Sequence, residues 1–524
     1  MKNSKISALL VVILILVFSC TKEEPAACEE PRFTETILDK KEHIEPTLIL
    51  DVPPVSRMCG CLDLTFHRIS MGDGECTLYV EEEGRGMPLV LINGGPGGTH
   101  HYFHPWFSRA RKWARVVYYD QRGTGLSDFI PGEKGYSVEQ AVIDLDAVRQ
   151  ALNIDRWVVL GYSYGGFLAQ YYALNYPERT AGLVLLNASP GMAVDRADDR
   201  IREFLTDKER ARLREIREET TRLREENNWD RNKTMEVLIY NNILNGDWKL
   251  QHYHRPTPER AAQMALYEWV NDSGFNGIVG SSMNRIDLTG AFEDCPIPTL
   301  ICEGAWDMTW NPQKAGIMHR NHPGSSLVMF ADSAHQLFED EPDKFFGELK
   351  EFVMDLRPVS QPEMKAFVQK TKEWLSSLAL SPDYVLGAYG YSRSSSEKLM
   401  KEYSRDWLAA LLPGMQFSDF LKVGFALYDV KNYRESLWVF EKMAAWGSDH
   451  KNLDAVGGAK IWQGHMLDLL GEREKAKSKY AEAASMKLDA RWSHGQYGME
   501  YRLSAYAEKR LRSPFQRIEN GITD

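Results

Sequence analysis

The sequence predicts an α/β fold, a doubly wound and mostly parallel sheet with a helical cap, followed by an all-α C-terminal domain. Short, continuous apolar runs recur through residues 62–187 and return after residue 298, and stretches of helical length separate them. Continuous apolar runs are typical of strands buried on both faces, and their alternation with helices is typical of a parallel sheet. The expected strands are residues 89–92, 116–119, 157–160, 182–186, 299–302 and 326–330.

A helical insertion interrupts this alternation between about residues 190 and 290. Its first part is strongly charged, and its second part is rich in Trp and Tyr. The strand–helix alternation then resumes and ends with a helix at about 341–356. We therefore expect one domain over residues 61–357, in which the insertion forms a helical cap over the sheet.

Residues 363–524 follow a short proline-containing linker and have a helical pattern. Small and aromatic residues recur there 40 residues apart, as Gly424, Ser436 and Phe440 and then as Gly464, Ala476 and Tyr480. These spacings resemble tetratricopeptide (TPR) helix pairs, which implies a surface for a protein partner. Ordinary amphipathic helical hairpins are the alternative interpretation.

The first 20 residues have the features of a secretory signal. Lys2 and Lys5 precede the apolar run 8–18, which ends at Ser19-Cys20. This end resembles the lipobox of bacterial lipoproteins, and the resemblance implies lipidation at Cys20, a membrane anchor and a cell-envelope location. Residues 21–60 would then be a tether and an irregular lead-in to the fold. A soluble secreted protein with an ordinary cleavage site is the alternative.

Charge and cysteine content narrow the possible functions further. The formal net charge of -11 is spread along the chain without a long Lys/Arg run, so a nucleic-acid partner has little support. Six cysteines remain besides Cys20, and their pairing stays open. Cys59-Gly-Cys61 lacks the spacing of a redox or zinc pair, and no metal or cofactor is expected.

A candidate nucleophile follows the expected strand 157–160, at the point where a helix begins. The motif G-x-S-x-G at a strand-to-helix turn holds its serine hydroxyl above the sheet, which predicts Ser163 as the nucleophile. Loops after two later strands carry Asp307 and His335. Because the carboxyl ends of parallel strands meet at one edge, these three residues are expected to form a Ser–His–Asp triad. The loop after strand 182–186 offers Asn187, which favours Asp307 as the acid.

A glycine-rich run, residues 93–98, directly follows the first expected strand. Backbone amides without side chains can donate to the oxyanion that forms when a carbonyl is attacked. We therefore expect the amides of Gly95 and Tyr164 to form an oxyanion hole. The run lacks the Lys-Ser/Thr of a P-loop and the G-x-G-x-x-G of a dinucleotide site.

Three segments together resemble the prolyl aminopeptidase (proline iminopeptidase) family of α/β-hydrolases. Residues 93–98, 120–127 and 161–166 are similar, in this order, to the family motifs His-Gly-Gly-Pro-Gly, Asp-Gln-Arg-Gly-x-Gly-x-Ser and Gly-x-Ser-x-Gly-Gly. The resemblance covers about residues 62–357 and implies an α/β-hydrolase fold with a helical cap. It also implies release of an N-terminal residue, of the proline type, from short peptides through an acyl-enzyme.

The chain departs from that family where the substrate's amine is held. Asn93 replaces the first His of the motif, and the cap stretch that ends with Glu in the family ends here with Met283-Asn284. We expect Glu268 and Asp272 to substitute, with Trp269 and Trp310 lining the pocket. Packing within the core of the cap is the alternative role of these tryptophans. An esterase or amidase acting on small acyl substrates is the alternative that the missing glutamates favour. An envelope scaffold that binds partners through its C-terminal repeats is a further alternative.

Overall fold

The computed structural model describes residues 64–72, 74–130, 135–191, 205–272, 274–309, 312–379, 381–387, 393–494 and 499–517. The secretory segment and Cys20 lie outside these ranges, as do Trp310 and three of the cysteines. Within the described ranges, no helix has both the length and the apolar character needed to cross a membrane. Cys295 and Cys302 are buried as free thiols.

An eight-stranded sheet forms the centre of the first domain, and its strand order is β1-β2-β4-β3-β5-β6-β7-β8. The strands are β1 Thr65–Ser70, β2 Thr77–Gly84, β3 Met87–Ile92, β4 Ala114–Tyr119, β5 Trp157–Tyr162, β6 Thr180–Leu186, β7 Thr299–Gly304 and β8 Ser325–Phe330. Strands β3 to β8 are parallel, while β1 and β2 add an antiparallel hairpin at one edge. The predicted doubly wound, mostly parallel sheet is confirmed.

Both faces of the sheet are covered, as the continuous apolar runs require. On β3, Val90 and Ile92 join one hydrophobic cluster, whereas Leu89 and Leu91 join another on the opposite face. The first cluster contains the helices α1 Val138–Ala151 and α2 Tyr164–Asn175. The second contains the 3-10 segments His100–Phe103 and Trp106–Lys112.

The cap is helical, as predicted, over its described part. Its helices are α3 Asp207–Asn227, α4 Arg231–Asn242, α5 Trp248–Gln251, α6 Pro258–Gln263 and α7 Phe275–Met283. Two π-helical segments, Ile243–Asp247 and Met264–Glu268, follow α4 and α6. α3 begins with a capping box between Thr206 and Glu209. After the cap, α8 Gln313–Asn321, α9 Leu337–Asp340 and α10 Pro342–Asp355 complete the domain.

The C-terminal region is mainly helical. Its helices are α11 Gln361–Ala379, α12 Pro382–Gly387, α13 Arg393–Glu402, α14 Arg405–Leu411, α15 Phe417–Asp429, α16 Tyr433–Asp449, α17 Leu453–Leu469, α18 Arg473–Ser485 and α19 Leu503–Arg512. A short hairpin, β9 Arg491–His494 and β10 Met499–Arg502, precedes α19. Met364 and Phe367 of α11 pack into the core of the sheet domain, and the second core begins at Leu386.

The residues of the 40-residue repeat occupy equivalent places in two helix pairs. A Cβ added to Gly424 would lie 2.6 Å from the ring of Phe440, and one added to Gly464 would overlap the ring of Tyr480. In both pairs a glycine thus lets an aromatic ring of the next helix approach its backbone. This is the packing that the sequence spacing predicts.

Candidate active site

Ser163 lies on a sharp turn between β5 and α2. Its backbone has φ 57° and ψ -121°, a strained conformation for a residue with a side chain. The flanking glycines permit this turn, because a Cβ on Gly161 would overlap the backbone of Gly165, and a Cβ on Gly165 would overlap the carbonyl of Ile92. The hydroxyl is therefore held at the carboxyl end of β5, beside the N-terminus of α2, where the helix dipole favours negative charge.

Asp307 and His335 follow β7 and β8 and form a buried pair at the same edge of the sheet. His335 Nδ1 lies 2.8 Å from Asp307 Oδ2, and both residues are less than 5% exposed. The imidazole ring lies 5.0 Å, between centroids, from the ring of Tyr162, which immediately precedes Ser163. A carboxylate at Nδ1 fixes the tautomer in which Nε2 can accept a proton from a hydroxyl.

The glycine-rich loop after β3 borders Ser163 on another side. A Cβ added to Gly94 would lie 3.0 Å from the ring of Tyr162 and 3.2 Å from Cβ of Ser163. Gly95 has φ 125°, a conformation that favours glycine. The side-chain amide of Asn93 donates to the Gly98 carbonyl and closes the loop. The two expected oxyanion donors therefore belong to segments that border the serine, Gly95 to this loop and Tyr164 to the first turn of α2.

The cap closes over this loop through residues 267–271. The hydroxyl and the amide of Thr99 donate to the carbonyls of Tyr267 and Glu268, at 2.6 Å and 3.1 Å. The side-chain amide of Asn271 donates to the Gly97 carbonyl at 3.0 Å. Trp269, expected to line the pocket, packs edge-on against Tyr102 with a centroid distance of 5.7 Å. These contacts couple the position of the cap to that of the loop.

The carboxylate of Glu268 is already paired with a guanidinium group. Arg260 of α6 forms an ion pair with Glu268 and a two-point ion pair with Glu339, which is on α9 beyond His335. All three side chains are buried. Burial raises the pKa of Glu268 to about 7, with Arg260 opposing the rise and Glu339 adding to it. With both carboxylates ionised, this cluster carries one net negative charge.

The cluster lies close to the proposed triad. Burial raises the pKa of Tyr162, and the charges of Asp307, Glu339 and Glu268 each raise it further. His252, at the end of α5, is also buried, and burial lowers its pKa to about 4, so the ring is neutral. The adjacent Gln251 carbonyl accepts a hydrogen bond of 2.7 Å from the amide of Gln336 and so joins the cap to the histidine loop.

Arg260, Glu339 and His252 are residues of this neighbourhood that the sequence motifs do not indicate. Arg260 and Glu339 are 79 positions apart, and only the docking of the cap on the histidine loop brings them together. The sequence does contain one signal for Glu339. This acidic residue is four positions after His335, so the two belong to the same short loop and helix.

One group of described residues has the donor atoms for a metal ion, namely Glu81, His100 and His104. Their contacts are hydrogen-bond distances, with 2.8 Å from His104 Nε2 to Glu81 Oε2 and 2.8 Å from His100 Nδ1 to Asp120 Oδ1. Burial alone would lower the pKa of His100, but Asp120 and Glu81 raise it above its ordinary value. We assign the group to a buried hydrogen-bond network that fixes the 120–127 turn, since Asp120 also accepts from the amide of Leu126.

Comparison with known proteins places these features in a family context. The α/β hydrolase fold family matches residues 87–342. The chain is 31% identical over 281 residues to a proline iminopeptidase of Saccharolobus solfataricus, a match that covers 52% of this chain and 86% of that protein. It is 29% identical over 294 residues to a proline iminopeptidase of Lactobacillus delbrueckii subsp. bulgaricus, covering 53% and 93%.

Similar solved structures include an esterase from Exiguobacterium antarcticum, with 25% identity, a TM-score of 0.43 and coverage of 56% of this chain and 99% of that one. A proline iminopeptidase of Mycobacterium smegmatis has 21% identity and a TM-score of 0.42, and the match covers 55% of this chain and 98% of that one. The family match ends at residue 342, before the C-terminal helical region begins.

Proposed function

Because the chain belongs to the α/β-hydrolase fold family and is a serine hydrolase with proline iminopeptidases among its relatives, we propose that it is an aminopeptidase. It releases an N-terminal residue, of the proline type, from short peptides. The observation that carries the proposal is the buried Asp307–His335 pair, 2.8 Å apart, at the sheet edge where Ser163 lies on its strained turn.

In the proposed reaction, Ser163 Oγ attacks the carbonyl of the N-terminal residue while His335 Nε2 takes the hydroxyl proton. The amides of Gly95 and Tyr164 donate to the oxyanion of the tetrahedral intermediate. His335 then gives its proton to the departing amine, and the peptide bond breaks to leave an acyl-enzyme. Water, deprotonated by His335, attacks the ester carbon and releases the free amino acid. Asp307 stays ionised and balances the imidazolium in each step.

The charge of the cap cluster supports a substrate with a free amine. Glu268 and Glu339 share a single cation, Arg260, and all three side chains are excluded from water. A buried net negative charge is costly, and a substrate ammonium group would neutralise it. The proline-type specificity rests on the similarity to proline iminopeptidases, and the amine requirement rests on this cluster.

A small-acyl esterase or amidase is the second candidate function. Arg260 already occupies one oxygen of Glu268, and this favours substrates that bring no cation of their own. The two candidates differ in one measurable property, which is the relative turnover of matched substrates with and without a free amine.

The test is a comparison of a proline arylamide with a short-acyl nitrophenyl ester as substrates of the full chain. The aminopeptidase proposal expects the larger kcat/KM for the arylamide, and N-acetylation of its proline is expected to abolish turnover. In Ser163→Ala we expect turnover to fall about 10⁴–10⁶-fold with the fold retained. Efficient ester hydrolysis with no arylamide turnover would establish the second candidate and reject the first.

We further propose a cell-envelope location through a lipid on Cys20, with the C-terminal helices available to a protein partner. The support for the anchor is the basic start, the apolar run and the lipobox-like end of residues 1–20. Metabolic labelling with a fatty acid should mark the wild-type protein and not Cys20→Ala. Equal labelling of both proteins would reject the anchor.

A further inference from the structure

A second buried carboxyl group lies directly behind Asp307. Glu303 is on β7, four positions before Asp307, and its side chain is fully buried. The two carboxyl groups lie within hydrogen-bonding reach of each other. The side-chain amide of Asn187, after β6, bridges them, with 2.9 Å to Asp307 Oδ2 and 3.3 Å to Glu303 Oε1.

Two adjacent carboxyl groups in such a place cannot both be ionised, because each negative charge disfavours the other where water is excluded. Asp307 is the ionised member, since N–H groups of His335, Asn187 and Thr309 all point to its oxygens. Glu303 receives an N–H donor from Asn187, and its Oε2 accepts no hydrogen bond from any residue that the structure describes. The shared proton therefore resides on Glu303.

We propose that Glu303 is a positioning residue of this active site, a neutral carboxylic acid whose O–H donates to Asp307 and holds that carboxylate toward His335. The inference rests on the proposed function, because it takes Asp307 and His335 as members of the triad. Burial and then the charge of Asp307 raise the pKa of Glu303 well above its ordinary value, which agrees with a proton retained at neutral pH.

The charged groups that face Glu303 come from neighbouring elements as well as its own. Asp307 on the following loop favours the protonated form, Lys314 on α8 acts against it, and His335 lies beyond Asp307. When Glu303 ionises at alkaline pH, a second negative charge forms beside Asp307. The two carboxylates then repel each other, and the Asp307–His335 geometry is disturbed. Activity should therefore decline in the alkaline range as Glu303 loses its proton.

Two variants of the full chain separate the effect of the Glu303 proton from the effect of the side chain's volume. Glu303→Gln keeps the size and a hydrogen-bond donor but cannot ionise. With the short-acyl nitrophenyl ester, which has no amine to titrate, we therefore expect kcat within about threefold of the wild type and no alkaline decline. Glu303→Leu removes the donor, and we expect kcat to fall about 10–100-fold with little change in KM. An alkaline decline that persists in Glu303→Gln, or a wild-type kcat in Glu303→Leu, would overturn the proposal.

Infrared spectroscopy tests the protonation state without relying on activity. The wild type at neutral pH should show the C=O stretch of a protonated carboxylic acid, and the difference spectrum against Glu303→Gln should contain that band. Its absence would overturn the proposal even if Glu303→Leu failed to fold. Ser163→Ala distinguishes a failure of the proposed function from a failure of the proposal for Glu303. If that variant kept its activity, the proposed function would fail, while the infrared band would still report on Glu303.

Discussion

Protonation of Glu268 is expected to control how well the protein uses a substrate with a free amine. Burial raises the pKa of Glu268 to about 7, with Arg260 opposing and Glu339 adding to the shift. Above this pH the cluster of the three residues has one net negative charge, and below it the cluster is neutral. A substrate ammonium group should therefore be attracted in the ionised state and lose that attraction as the pH falls.

The size of the effect follows from the titration curve. With a pKa of about 7, the ionised fraction of Glu268 falls from about 0.5 at pH 7 to about 0.01 at pH 5. The substrate's α-amino group, with an ordinary pKa of about 8, stays protonated throughout that interval. The kcat/KM for a proline arylamide should then fall about 50-fold between pH 7 and pH 5 from this cause alone, because kcat/KM reports titration of the free enzyme.

The assay must separate Glu268 from effects of acid that do not depend on the substrate's amine. A short-acyl nitrophenyl ester uses the same triad without an amine, so the ratio of the two kcat/KM values isolates the cluster. In the wild type, we expect the ratio of the arylamide value to the ester value to decrease as the pH is lowered from 7 to 5. In Glu268→Gln, this ratio should not change with pH. Glu259→Gln, at an exposed glutamate on the same helix as Arg260, is the matched control and should behave as the wild type. A ratio independent of pH in the wild type would refute the reasoning.

Two further predictions concern stability. Gly464→Ala should destabilise the protein by about 1–3 kcal/mol in urea unfolding, because the added methyl group overlaps the Tyr480 ring. Gly347→Ala, on an exposed and uncrowded position of α10, should be neutral or slightly stabilising, and equal losses in both variants would contradict this account. Burial raises the pKa of Asp340 to about 7, so the folded state binds this proton more tightly than the unfolded state does. The stability that this bound proton contributes is fully present below about pH 4 and is lost as the pH rises through 7. The Tm of Asp340→Asn should therefore fall less than that of the wild type between pH 5 and pH 8, and parallel Tm curves would contradict it.

The parallel part of the sheet was predictable because each of its strands is a continuous apolar run. The β1–β2 hairpin was not, since its strands mix polar residues with apolar ones. β1 lies at the exposed edge, and β2 buries Glu81 and Glu83 within a polar network. In the C-terminal region, the spacing of Gly424 and Gly464 predicted the glycine–aromatic contacts. It carried no information on α11, which packs on the sheet domain.

The residues of the candidate site could be predicted where a motif fixes the local backbone. They could not be predicted where tertiary packing decides which side chains meet. Ser163 and the 93–98 loop carry glycines that a close turn requires. Asp307 and His335 follow from the position of a loop after a strand. Glu268 is the instructive case, because the sequence indicates a carboxylate near the pocket but cannot indicate Arg260, which changes its charge state and pKa.

The central claim is that Ser163, His335 and Asp307 act together, and the rate and site of fluorophosphonate labelling test it most directly. Peptide mapping of the full chain should find the adduct on Ser163. The labelling rate should fall about 10⁴-fold in Asp307→Asn, because the amide fixes the wrong tautomer of His335. An adduct on another residue, or an unchanged labelling rate in Asp307→Asn, would contradict the account.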